Sequence, residues 1–142
     1  AYGDDVKRIL FDHDTGGYVV AHASRIAHGE TSENEERKLN KELRMAKVYA
    51  QNGYRVEMLG EADRDSAPDV LINGIKGDFK STGSSNNIVK YAKKAFQKQG
   101  ADIVLFEIDA MTRDIYSELL KAKKKGGRVF YYTKEDEIVH EL

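Results

Sequence analysis

The 142-residue sequence contains no cysteine, which excludes a disulfide framework and any thiolate metal site and leaves carboxylates, histidines and backbone oxygens as ligands. Its four histidines stand apart at His13, His22, His28 and His140, without the paired spacing of an HExxH helix. No stretch approaches the roughly 20 apolar residues of a membrane helix, and residues 1–8 lack the apolar run of a signal peptide, so no membrane span is predicted. Proline occurs once, at Pro68. Strong net charge is also missing: 23 Lys plus Arg against 24 Asp plus Glu give −1, which excludes a uniformly basic coat for nucleic acid. What is present is 40% apolar and 33% charged residues, enough to bury a core and too rich in Val, Ile, Leu and Phe for a disordered tail. Residues 1–142 are expected to form a single domain. The start at Ala1, without Met, suggests the C-terminal fragment of a larger polypeptide.

The near-zero charge is unevenly distributed. Residues 1–79 carry 11 basic and 15 acidic side chains, a balance of −4; residues 80–130 carry 11 and 5, a balance of +6; residues 131–142 carry 1 and 4, a balance of −3. The middle segment is a basic island, with Lys80, Lys90, Lys93, Lys94 and Lys98 followed by Lys121, Lys123, Lys124, Lys125 and Arg128. Such clustering is the electrostatic footprint of a polyphosphate partner, and equally the solvated face of lysine-rich helices.

Local signals order the chain. Phe11 to Gly17, with Asp12-His13-Asp14, reads as a turn more readily than as a metal site, because Asp and Gly supply turn geometry on their own. A short strand follows at Tyr18–Ala21. Ser32-Glu33-Asn34-Glu35 is a capping box that starts a helix. Leu39, Leu43, Ala46 and Ala50 recur along it at helical spacing, and Asn52-Gly53 supplies a left-handed stop. Residues 54–59 alternate as a strand does. Residues 69–72 and 75–80 are two β-rich runs separated by Asn73-Gly74, a strong hairpin signal. A helix marked by Ile88, Ala92, Ala95 and Phe96 closes at Gly100, a buried strand spans 102–108, a lysine-rich helix runs from about 112 to 125, and a last strand spans 128–132. The pattern predicts an α/β fold with a mixed central β-sheet flanked by helices.

A two-residue turn at Asn73-Gly74 sets Ile72 opposite Ile75, and hence Asp69 opposite Asp78. Directly opposed residues share a face with Cβ atoms about 4.5–5.5 Å apart, where like charges destabilise a sheet. Alternation adds Lys80 to the same face as Asp78. One reading is a solvent-exposed polar face relieved by Lys80 or Lys76. The other is a divalent cation between the carboxylates, with oxygen ligands suited to Mg²⁺ or Mn²⁺. Glu35, four residues before Leu39, falls on the stripe expected to face the sheet and could join as a third ligand, whereas Glu33 should point away. Its alternative role is the capping box itself.

Pro68-Asp69 followed by Asp78-Phe79-Lys80 resembles the PD-(D/E)-x-K nuclease core, and a Glu on the preceding helix completes that superfamily's usual set. More narrowly, residues 16–110, with Glu33-Asn34-Glu35, Asn52-Gly53-Tyr54-Arg55-Val56, Pro68-Asp69 and Asn73-Gly74, are similar to the C-terminal toxin domains of bacterial contact-dependent growth inhibition proteins and related polymorphic toxins. The resemblance implies a nuclease, often tRNA-cleaving, delivered into a neighbouring cell as part of a secreted or cell-surface protein and acting in the target-cell cytoplasm. It also implies a cognate immunity protein, without which the domain is expected to be monomeric. Two features depart from the pattern: Asp78 stands where Glu is commoner, and the following helix shows no clear Gln-x-x-x-Tyr element.

The expected function is thus a metal-dependent endonuclease toxin, with tRNA favoured over DNA on the resemblance alone. Its catalytic set would be Glu35, Asp69, Asp78 and Lys80, and its metal ligands Glu35, Asp69 and Asp78 holding Mg²⁺ or Mn²⁺, with Zn²⁺ a further candidate. An electrostatic role is favoured for Lys80, whose ammonium stands near two carboxylates. Lys90 and Lys94, four apart on one helix face, together with Ser81 and Asn86, are the candidate nucleic-acid contacts. The competing readings are a DNase of the same fold, a non-catalytic nucleic-acid-binding module using residues 80–130, and a protein-interaction domain serving an acidic partner.

Overall fold

A computed structural model describes residues 6–26, 33–60 and 68–142, in which eight strands and four helices form. The chain divides into two compact units, the first comprising residues 1–62 and 70–74, the second residues 63–69 and 75–142.

In the first unit the strands β1 (Val6–Phe11), β2 (Tyr18–His22), β3 (Arg55–Met58) and β4 (Val70–Ile72) lie side by side in sequence order. β1 runs antiparallel to β2, β2 parallel to β3, and β3 antiparallel to β4. The expected turn before β2 is an Asx turn: Asp12 Oδ1 accepts the N–H groups of Asp14 at 2.9 Å and Thr15 at 3.1 Å. A short helix α1 (Ala23–Ile26) leads toward α2 (Glu33–Gln51), which packs on β2 and β3. Ser32, the first half of the expected capping box, lies outside the described residues.

The inward stripe of α2 is Glu42, Met45, Ala46, Val48, Tyr49 and Ala50, while Leu39 and Leu43 are half-buried. Ala46 and Ala50 of the predicted stripe are thus buried, and Met45, Val48 and Tyr49 widen the inward face toward the C-terminal half of the helix. As expected, the helix stops at Asn52-Gly53. Asn52 Nδ2 donates to the Val48 carbonyl at 2.8 Å, and Gly53 adopts a φ of 93°. Close packing at this end requires a second glycine: a Cβ on Gly17 would lie 1.8 Å from the Ala50 carbonyl oxygen. At Asn73-Gly74, φ values of 49° and 83° give the left-handed pair of a type I′ turn.

The second unit holds β5 (Ile75–Thr82), β6 (Ile103–Ile108), β7 (Arg128–Thr133) and β8 (His140–Glu141). β5, β6 and β7 are parallel and in register, and β8 closes antiparallel to β7. Every residue of β6 is buried, as a central parallel strand covered on both faces should be. One face, Val104, Phe106 and Ile108, packs against Ile88, Ala92 and Ala95 of α3 (Ile88–Gln97) and Ile115, Leu119 and Ala122 of α4 (Arg113–Lys123). The Thr112 hydroxyl caps α4 by accepting the Ile115 N–H at 3.1 Å. β5 is eight residues long, so Ser81 and Thr82 belong to the strand and not to the loop the sequence suggests.

Candidate active site: a buried aspartate pair and its lysine

The register of β5 on β6 decides which face carries the motif. Asp78 pairs with Val104 and Lys80 with Phe106, and side chains paired across parallel strands share a face. Asp78 and Lys80 therefore lie on the side covered by α3 and α4. The expectation of a solvent-exposed polar face is corrected by this packing: Asp78 is 0% exposed and Asp69 is buried.

Asp69 is held from two directions. Its backbone N–H donates to the Gly77 carbonyl at 3.1 Å, and its Oδ2 accepts the Phe79 N–H at 3.2 Å. The Asp69 carboxyl is near enough to raise the pKa of Asp78. Lys80 Nζ stands 2.8 Å from Asp78 Oδ2 and donates to Gln99 Oε1 at 3.3 Å, with the Tyr91 ring centroid 6.0 Å away.

Burial first, and then the neighbouring Asp69 carboxyl, push the Asp78 carboxyl from its ordinary 3.8 up to about 7, against the opposing pull of Lys80. Among the described residues neither Asp78 oxygen has a hydrogen-bond partner. The Lys80 contact is thus a close charge pair and not a well-directed bond. Two ionised carboxylates brought near each other repel, and a proton or a cation relieves the pair. Two hard oxygen donors of this kind fit Mg²⁺ or Mn²⁺, which commonly take one or two carboxylates and complete their shell with water or phosphate oxygens.

Glu35 does not sit as expected. It is exposed, and no group of three His, Cys, Asp or Glu side chains suited to a metal forms among the described residues. The helix does turn this side inward, but two turns later: Glu42, seven residues on, is buried in an ion pair with the equally buried Arg25. Glu35 lies on the same stripe beyond the packed length of α2.

Ser81 is also committed elsewhere. Its Oγ donates to Glu107 Oε1 at 2.8 Å, and Tyr132 OH donates to Glu107 Oε2 at 2.7 Å. These three neighbours in register occupy the reverse face of the strands from Asp78. Asn86 is exposed in the turn before α3, and Lys90 and Lys94 are exposed on α3 itself, where they can meet a polyanion. The sequence reading missed Gln99, a buried polar residue beyond the end of α3. Only the Gly100 stop signal marks that chain reversal. It also missed Glu107 and the His22–Glu57 contact of 2.7 Å, whose partners are distant in sequence.

Residues 66–138 match the family described as contact-dependent growth inhibition CdiA C-terminal domain. The chain belongs to that family and is a toxin domain of contact-dependent growth inhibition; the matched span contains Asp69, Asp78, Lys80 and Gln99. Among solved structures the chain is similar to the "CdiA-CT/CdiI toxin and immunity complex from Burkholderia pseudomallei", with a TM-score of 0.62 and 21% identity, covering 81% of this chain and 91% of that one. At that identity the likeness concerns the fold. None of the curated proteins shows a match to the chain.

Proposed function

We propose that this toxin domain is a metal-dependent nuclease of the PD-(D/E)-x-K type, with Asp69, Asp78 and Lys80 as its working residues. The observation that carries the reading is the fully buried Asp78 carboxylate, set against a second carboxyl with Lys80 as its one close counter-charge. Two carboxyls sharing a single lysine cost stability as structure alone, because burial and like charge both resist their ionisation. A phosphodiesterase gains a place for a cation.

Asp69 and Asp78 would hold Mg²⁺ or Mn²⁺, with Zn²⁺ a third candidate, and the ion supplies Lewis-acid polarisation of the phosphoryl group and an activated water. The Phe79 N–H, donating to Asp69 Oδ2, fixes the orientation of that carboxylate. Lys80, held at Asp78, offers its ammonium to the negative charge that develops on the phosphoryl oxygens. Lys90 and Lys94 would bind flanking phosphates without reading sequence. The proposed ligand set within this unit is therefore the two carboxylates of Asp69 and Asp78.

tRNA is the proposed substrate in preference to DNA, on the family resemblance, with action in the target-cell cytoplasm after delivery by a cell-surface protein. A cognate immunity protein is proposed as partner, supported by the toxin and immunity complex among the structural relatives. Incubation of the domain with total RNA and with plasmid, with Mg²⁺ or Mn²⁺ and with EDTA, tests the assignment. Cleavage should vanish in EDTA and in Asp69→Asn, Asp78→Asn and Lys80→Met. Salt-sensitive binding with no turnover in any metal would instead leave a binding module.

A further inference from the structure

Lys80 carries its charge on a flexible four-carbon stem, and only an anchor keeps such a group in one place. Its ammonium has three N–H donors. One faces Asp78 Oδ2 at 2.8 Å and another is given to Gln99 Oε1 at 3.3 Å, which leaves a third for a substrate oxygen. The Tyr91 ring, 6.0 Å from Nζ, closes another side.

We infer that Gln99 is the positioning residue for Lys80: its buried carboxamide oxygen takes one ammonium N–H and fixes the charge beside Asp78. The inference rests on the nuclease reading for its purpose but on geometry for its substance. Gln99 is 6% exposed, although it sits between exposed Lys98 and exposed Gly100 at the end of a surface helix. The backbone there is shaped to turn this one side chain inward. The Lys94 carbonyl accepts both the Lys98 N–H at 2.9 Å and the Gln99 N–H at 3.1 Å, and the Ala101 N–H reaches back to the Ala95 carbonyl at 3.0 Å. Gly100, at a φ of 70°, permits the reversal.

The residue type also fits. A glutamate would satisfy the ammonium but would add a third negative charge beside the aspartate pair, and a methionine would fill the space with no acceptor. A neutral acceptor holds the lysine and leaves the carboxylates as the only anions facing it.

Three variants of the full chain separate positioning from packing: Gln99→Met, which keeps length and loses the acceptor; Gln99→Glu, which keeps an acceptor; and Gln99→Asn, which keeps the amide and loses reach. The first readout is the ¹H–¹⁵N signal of the Lys80 ammonium, visible only when the group is held out of rapid exchange. It is expected in the wild type and Gln99→Glu and lost in Gln99→Met and Gln99→Asn. The second is cleavage of RNA in Mn²⁺. kcat should fall by about tenfold or more in Gln99→Met, as expected for losing a hydrogen bond to a charged group, with KM within about twofold, and Gln99→Glu should recover to within about threefold of wild type. A Lys80 signal and kcat unchanged in Gln99→Met, or Gln99→Glu no better than Gln99→Met in both readouts, would overturn the inference. Should Gln99→Met fail to fold, Gln99→Asn against Gln99→Glu decides it by the same criteria. A wild type inert on RNA and DNA would overturn the nuclease reading instead, while the ammonium signal still decides whether Gln99 holds Lys80.

Discussion

Replacing Asp78 by Asn removes the one charge that burial most resists, and the size of the effect follows from the carboxyl's displacement. A carboxyl raised from 3.8 to about 7 in the folded protein is protonated more readily folded than unfolded. Stability is therefore complete below its ordinary pKa, falls as pH rises through the interval, and is fully reduced above about 7. The whole loss is about 4 kcal/mol, and somewhat more than half of it falls between pH 5 and pH 8. Against the 5–15 kcal/mol typical of a domain, that is measurable. Asn cannot ionise, so Asp78→Asn lacks this slope, and the lost partner of Lys80 adds an offset that changes little over the interval. Urea unfolding followed by circular dichroism in EDTA, for both proteins at pH 5, 6, 7 and 8, measures the difference; groups remote from Asp78 cancel. The gap should move by about 2–3 kcal/mol in favour of the variant as pH rises. Parallel stability curves, within about 0.5 kcal/mol across the range, would refute the burial argument. Adding Mn²⁺ at about 100 times its Kd should return roughly 2.7 kcal/mol to the wild type at pH 8 and nothing to the variant.

Four further outcomes follow from packing and charge. Arg25→Met or Glu42→Gln, each leaving a buried partner behind, should cost about 3–5 kcal/mol in urea unfolding, whereas Arg25→Met with Glu42→Leu should recover most of it. Gly17→Ala, whose Cβ would meet the Ala50 carbonyl at 1.8 Å, should destabilise by more than about 2 kcal/mol. Gly16→Ala, strained only by its φ of 79° in open space, should cost roughly 1–2 kcal/mol. Lys90→Gln with Lys94→Gln should flatten the salt dependence of single-stranded RNA binding by about 0.7 per lysine and leave thermal unfolding nearly unchanged.

Where a local signal carried its own geometry, the sequence was readable. Asn73-Gly74 named its turn because both residues tolerate positive φ, and Asn52-Gly53 marked the end of α2 for the same reason. Asp78-Phe79-Lys80 set two charges on one face by alternation alone. Burial of that face was not legible, because it depends on α3 and α4 arriving from later in the chain. β1 escaped notice because its six residues are mostly exposed and show no alternation, and β8 because two residues paired to Arg128–Thr133 make no pattern of their own. Glu35 was misplaced by a periodicity that locates a stripe and not how far the packing extends along it. Gln99 was invisible because nothing in a helix-ending Lys-Gln-Gly tells which side chain folds inward.

The working groups of the buried site all come from the stretch between Asp69 and Gln99: the aspartates, the lysine, the ring beside it and the amide. One internal segment of the chain therefore carries both anions, their counter-charge and its support. Exchanging residues 69–99 as a block would move the whole set together, whereas a junction placed inside the stretch would part the lysine from its partners.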